Sequence, residues 1–170
     1  CIKSWYVNIV INKSDASGTV TFANCTVNQF TVTDGIASIG ANTVTADNAI
    51  TVSSGAELTI SSGTFNADGA SDIDGTLSIT STGKYDADAD FDATGATVTF
   101  SGAGFIEMSG SVTKLGSSFT EGSGTVEFDG SGAQNIFNTT YNNLIIDQNF
   151  LLLLIHHQWS GKCTLDIFEH

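Results

Sequence analysis

The chain has 170 residues, 5 Lys and Arg against 18 Asp and Glu, and a net charge of −13. Its five cations are all lysines, so the bidentate guanidinium fork is missing and a nucleic-acid partner is argued against. Proline is absent, glycine numbers 18, and Thr, Ser and Val are frequent, a mix that favours strands in one domain long enough to bury a core.

The chain opens on Cys1, one of three cysteines with Cys25 and Cys163. Their odd number excludes a complete disulfide framework, and no metal-binding spacing links them. Ile2 and Lys3 are poor company for a lipidated Cys1. No initiator Met, signal peptide or long apolar run occurs, so a membrane span is not expected and a processed chain or fragment is. The heptad "YVNIVIN" follows at Tyr6 to Asn12, and "SGTVTF" at Ser17 to Phe22 is the first of a series of glycine-led strands.

Glycine then sets a beat. Gly35, Gly55, Gly75 and Gly95 are evenly spaced, and they lead into "DGIASI", "SGAELTI", "DGTLSI" and "TGATVTF". With "SGTVTF" and the later "SGTVEF", these copies align into a column of Val20, Ala37, Leu58, Leu77, Val98 and Val126. Next but one lies a second column of Phe22, Ile39, Ile60, Ile79, Phe100 and Phe128, with Thr, Ser or Glu between. Apolar, polar, apolar is the period of a strand with one buried face. The interval from Gly95 to Gly124 is longer than the others and reads as an insertion.

A second strand follows, so each period holds at least two. "TVTAD", "TFNAD" and "KYDAD" place Val44, Phe65 and Tyr85 inward, continued by Ile106, with Ala67, Ala87 and Ala89 lining a thin wall. No stretch before residue 150 has helical spacing. Residues that recur in register imply coil stacked on coil, so the predicted fold is all-β: a parallel β-helix, or β-solenoid, with rungs of about 20 residues. The general preference in crossovers predicts a right-handed one. Six or seven rungs about 4.8 Å apart give a rod roughly 30 Å long. A β-sandwich of the same strands is the rival architecture.

Within "YDADADFDATG", Asp86, Asp88, Asp90 and Asp92 alternate with Ala87, Ala89, Phe91 and Ala93. On one strand that sets four carboxylates on an outer face. The rung before matches when shifted by one period, pairing Asp68 with Asp88 and Asp72 with Asp92 on neighbouring rungs. These six aspartates are the candidate metal ligands, and weakly bound calcium is the only cofactor considered, because hard carboxylate oxygens suit it. A solvated acidic face that opposes aggregation is the plainer reading.

The heptad returns near the far end of the chain as "YNNLIID" at Tyr141 to Asp147, so a second, much longer period overlies the short one. "GTVEFDGSGAQNI" at Gly124 to Ile136, followed by "TTYNNLIID", resembles the repeat unit of large bacterial surface and secreted adhesin-like β-solenoid proteins. The resemblance implies export, an extracellular or cell-surface location, and a structural or adhesive role. Glycans, cell surfaces, or further copies of the module end to end would be its partners. It carries no catalytic residue to transfer.

Residues 1–150 are thus expected to form the solenoid, and residues 151–170 an apolar segment with a cap or an extra rung. All three histidines, His156, His157 and His170, lie in that tail without a third metal ligand nearby. Sequons at Asn12, Asn24 and Asn138 are unremarkable in so Asn- and Thr-rich a chain. No nucleophile motif or phosphate loop occurs. A non-catalytic module is therefore expected. The alternatives are a polysaccharide-degrading β-helix enzyme, for which Lys84 beside the Asp86–Asp92 run is the one tempting pair, and an ice-binding solenoid. The Thr pairs at Thr19, Thr31, Thr43 and Thr97 suggest the last, but Ile36, Glu57 and Glu127 interrupt the array.

Overall fold

The computed structural model describes residues 7–13 and 17–147. Nineteen strands and no helix lie among them, in the order β1 (Asn8–Asn12), β2 (Thr19–Thr21), β3 (Cys25–Val27), β4 (Gln29–Asp34), β5 (Ile36–Ser38), β6 (Thr43–Ala46), β7 (Ile50–Val52), β8 (Glu57–Ile60), β9 (Thr64–Ala67), β10 (Ser71–Ile73), β11 (Thr76–Ile79), β12 (Lys84–Ala87), β13 (Phe91–Asp92), β14 (Thr97–Phe100), β15 (Phe105–Met108), β16 (Val112–Lys114), β17 (Ser118–Thr120), β18 (Thr125–Phe128) and β19 (Asn143–Ile146). The chain winds through three parallel sheets in turn. The first is β1-β4-β7-β10-β13-β16, the second β2-β5-β8-β11-β14-β17, and the third β3-β6-β9-β12-β15-β18-β19. The protein is a β-solenoid.

Alternation explains why each strand sits as it does. Burial along β8, β9, β11 and β12 switches residue by residue, and every second side chain enters the core. Leu58, Leu77 and Val98 stack in parallel register, as do Ile60, Ile79 and Phe100. In the third sheet Val44, Phe65, Tyr85 and Ile106 stack in the same way. All ten are buried. Burying one such side chain is worth about 1.5–3 kcal/mol, and each rung completes the burial of its neighbours.

Several expectations are corrected. A rung has three strands, as the expected minimum of two allows, but "SGTVEF" does not belong with the other glycine-led copies. Val126 and Phe128 lie in the third sheet on Ile106 and Met108, and Phe119 takes the sixth place above Val98. The gap before Gly124 is therefore a change of sheet, not an insertion. Nor are the evenly spaced glycines one stacked column: Glu57 N–H bonds to Gly35 C=O and Thr97 N–H to Gly75 C=O, which sets Gly35 against Ala56 and Gly75 against Ala96. The corners absorb the difference, since the step from Leu58 to Leu77 is shorter than the step from Leu77 to Val98. Ala89 is half-buried at a corner, while Ala67 and Ala87 are in the core.

The corner between the second and third sheets shows why glycine is needed. A Cβ on Gly63 would lie 2.0 Å from Asn42 O, and one on Gly104 would lie 2.2 Å from Ile79 Cγ2. Successive turns pack backbone against backbone there.

The core is also threaded by aromatic rings. Phe22, Phe30, Phe65, Tyr85 and Phe91 follow one another at centroid distances of 5.2, 4.9, 5.5 and 5.7 Å. Near the C-terminal end the path changes. After β18 the chain crosses without strands, and Gln134 Nε2 donates to Met108 O and Gly110 O at 2.7 Å each. Ile136, Phe137, Tyr141 and Leu144 pack against the core from this end. β19 then joins β18 in parallel. The segment expected at 151–170, with its histidines and Cys163, lies outside the described residues, as does Cys1.

Candidate functional site

The outer face of the third sheet carries most of the chemistry. Its outward column reads Thr26, Thr45, Asn66, Asp86, Glu107, Glu127 and Ile145 up the rod. Lys84 stands on the same face of β12, beside this column. Its Nζ is 2.9 Å from Asp86 Oδ2 and 2.7 Å from Glu107 Oε2, and 5.9 Å from the centre of the Phe105 ring. Burial would lower the Lys84 pKa, but hydrogen bonds to Glu107 and Asp86 and their charges carry it above its ordinary value. Asp86 Oδ1 is buried and has no hydrogen-bond partner. Glu127 follows next in this column, where the charge of Lys84 only partly offsets its acidic neighbours. Its pKa is raised by burial first and then by the charges of Glu107, Asp129 and Asp147.

The candidate aspartates do not share one strand face. The chain turns after Ala87, so Asp86 is on the third sheet, Asp92 on the first, and Asp88 and Asp90 in the corner between. The stacked pairs do form. Asp72 and Asp92 are register partners. Asp68 and Asp88 follow the paired residues Ala67 and Ala87, with Asp47 below. Asp68 has its pKa raised by burial and then by Asp88, Asp47 and Asp86, and Asp72 by burial and then by Asp74 and Asp92. Two of the six are already engaged: Asp92 Oδ1 accepts from Thr94 N at 2.9 Å in a local turn, and Asp90 Oδ1 accepts from Ser111 N of the next rung at 3.1 Å. No group of three or more His, Cys, Asp or Glu is arranged to hold a metal ion among the described residues.

The second sheet presents a different face. Its outward positions pair as Thr19 with Thr21, Ile36 with Ser38, Glu57 with Thr59, Thr76 with Ser78, Thr97 with Thr99, and Ser118 with Thr120. Glu127, expected to interrupt this array, is on another sheet. Thr31 and Thr43 also leave it, for the first and third sheets. Glu57 is tied into the face by Thr59 Oγ1, which donates to Glu57 Oε1 at 2.7 Å.

Two polar devices escaped the sequence reading. Asn28 Nδ2 donates to Asn8 Oδ1 and Asn48 Nδ2 to Asn28 Oδ1, both at 2.7 Å, an amide ladder whose signal was asparagine recurring once per rung. Inside the core, Tyr85 Oη donates to Ser71 Oγ at 2.8 Å. Serine in an inward register position was the only clue.

Cys25 is half-buried in the terminal rung, with its thiol pKa raised by burial. It lines a recess of about 320 Å³ with Val7, Ile9, Thr21, Phe22, Ala23 and Val27. No base stands among the groups lining that recess to make a nucleophile of it. Among the described residues no helix is long and apolar enough to cross a membrane. Comparison with protein-family models, with curated proteins and with solved structures finds no match for the chain.

Proposed function

We propose that the chain is a non-catalytic structural or adhesive module of a bacterial surface or extracellular protein. One observation carries the reading: Asn8–Asn12 of the first heptad form β1 and Asn143–Ile146 of the second form β19, at opposite ends of the stack. A module that begins and ends on the same strand can be concatenated in line, which suits a rod that holds a binding face away from a surface. The long outer faces, one acidic and one rich in hydroxyls, supply area for glycans or cell surfaces. The test is retention of protein-coated beads on glycan and cell layers, run beside an assay for release of reducing ends. Binding without turnover supports the reading. Cleavage of a polysaccharide that is lost in Asp88→Asn or Asp90→Asn replaces it with the enzyme reading.

The second sheet favours one further reading. Seven threonines and three serines occupy its outward positions beside Ile36 and Glu57. A flat, regular hydroxyl array is suited to ordering water, as an ice-binding solenoid would. Thermal hysteresis that vanishes in Thr97→Lys with Thr99→Lys supports it, and freezing indistinguishable from an inert protein at equal concentration excludes it.

A further inference from the structure

The two ends of the rod are not equivalent. At the C-terminal end the heptad strand β19 lies on β18 in register, Val126 opposite Leu144 and Phe128 opposite Ile146. The crossing that precedes it brings Ile136 and Phe137 against the core, and Tyr141 stands 6.0 Å from the Phe119 ring. At the N-terminal end β1 has the same heptad, but it is the outermost strand of its sheet and pairs only with β4 among the described residues. Beside it lies the apolar recess of about 320 Å³ at Ile9, Phe22 and Cys25. Val10 and Ile145, the exposed large hydrophobics among the described residues, occupy the same heptad position at 64% and 41% exposure.

We propose that the N-terminal end is a socket for a second copy of the Gly124–Thr140 segment, presented by another module in which β1 takes the place that β19 holds here, since β18 carries β15 on one edge and β19 on the other. The inference rests on the modular reading above. The β18–β19 junction is that interface already formed once inside this chain, so it fixes the register. Aligning Leu144 with Ile9 and Ile146 with Ile11 sets Val126 of the incoming copy against Ile9 and its Phe128 against Ile11. The edge of β1 that no described strand covers supplies the ladder hydrogen bonds, as in β-strand addition. The incoming Ile136 and Phe137 then fill the recess, covering Cys25. Glu127 of the incoming strand falls beside Val10 on the outer face, the same neighbour it has in Ile145.

A synthetic peptide of residues 124–140 tests this on the intact chain. The readouts are the alkylation rate of Cys25, resolved from the other cysteines by mass spectrometry, and amide exchange across β1 and β19. Cys25 alkylation should slow roughly fivefold once peptide exceeds its Kd by about fourfold. Exchange should slow in β1, and a peptide carrying Val126→Asp and Phe128→Asp should do neither. Unchanged rates at millimolar peptide overturn the proposal, as does protection confined to β19. Equally, Cys25 and β1 already as protected as β4 in the chain alone would mean that the end is filled, and the proposal fails. Bead retention does not depend on this docking, so failure here leaves the adhesive reading standing, and failure there leaves this one.

Discussion

Tyr85 and Ser71 offer the sharpest test of how the core is specified. Ser71 is 3% exposed and Tyr85 is fully buried, and they face each other across the core from β10 and β12. Their register neighbours are apolar: Ile50 and Phe91 flank Ser71, and Phe65 and Ile106 flank Tyr85. A small side chain opposite a tyrosine makes room for the phenol, and the 2.8 Å hydrogen bond satisfies both hydroxyls where water cannot. Tyr85→Phe keeps the ring and strands Ser71 Oγ, at a cost of about 1–3 kcal/mol. Ser71→Ala strands Tyr85 Oη at a similar cost. The double variant leaves no unsatisfied group, so it should lose little more than either single one, with a coupling of about 1 kcal/mol or more. Urea unfolding followed by circular dichroism measures this. With a slope of about 1–3 kcal/mol per molar, each single substitution should move the midpoint by several tenths of a molar or more at constant slope. If the two losses simply add, the bond contributes nothing net and Ser71 is there for its size alone.

Leu77→Asp sets a carboxylate between Leu58 and Val98, and should lose more than about 4 kcal/mol and abolish the fold by circular dichroism, while Ser78→Asp on the outer side of the same strand stays within about 1 kcal/mol. Asp68, Asp72 and Glu127 all have raised pKa values, so the folded state holds more protons than the unfolded one between the ordinary carboxylate range and those raised values. Stability should therefore increase as pH falls from 7 towards about 4.5, and a melting temperature that drops over this window at fixed ionic strength would reject the argument that burial, and after it repulsion, disfavours these charges. Calcium at millimolar levels should raise the melting temperature beyond the effect of sodium at matched ionic strength, and Asp68→Asn with Asp88→Asn should remove that gain; an unchanged melting temperature leaves these carboxylates as surface charge.

The inward columns were legible because burial leaves so few alternatives. Leu58 over Leu77 and Phe65 over Tyr85 could be aligned by eye, since a stacked rung must repeat apolar residues in place. The corners were not legible. A turn can absorb one residue more or less without disturbing the strands, so even glycine spacing in the sequence hid uneven rungs, and residues 88–90 read as a continuation of β12. The same freedom misassigned Val126, whose strand has the glycine-led pattern but sits a third of a turn away. Two strands with the same alternation are indistinguishable until the count between them fixes their sheet. The hydroxyl face emerged only once Glu127 moved, and the recess at Cys25 depends on which rung is outermost, a property of the stack and not of any one strand.

The outer faces bear differently on stability. Hydroxyls on the second sheet are neutral at any spacing, so the ladder tolerates them without cost. Carboxylates on the third are not neutral. Unit charges one rung apart, about 4.8 Å, repel by about 1 kcal/mol even in bulk water. Lys84 pairs with Asp86 and Glu107 but only partly offsets the acidic charges around Glu127, and Asp47, Asp68 and Asp88 line the adjoining corner. Threonine occupies the same outward column at Thr26 and Thr45, so the fold itself does not call for acid there. The raised pKa values of Glu127 and Asp68 mark where this acidic strip works against the stability of the described rod. Solubility alone could be had from charges scattered over three faces. A stacked line of carboxylates with one lysine is a more specific arrangement, and it makes the third sheet the first face to probe with polycationic surfaces and divalent ions.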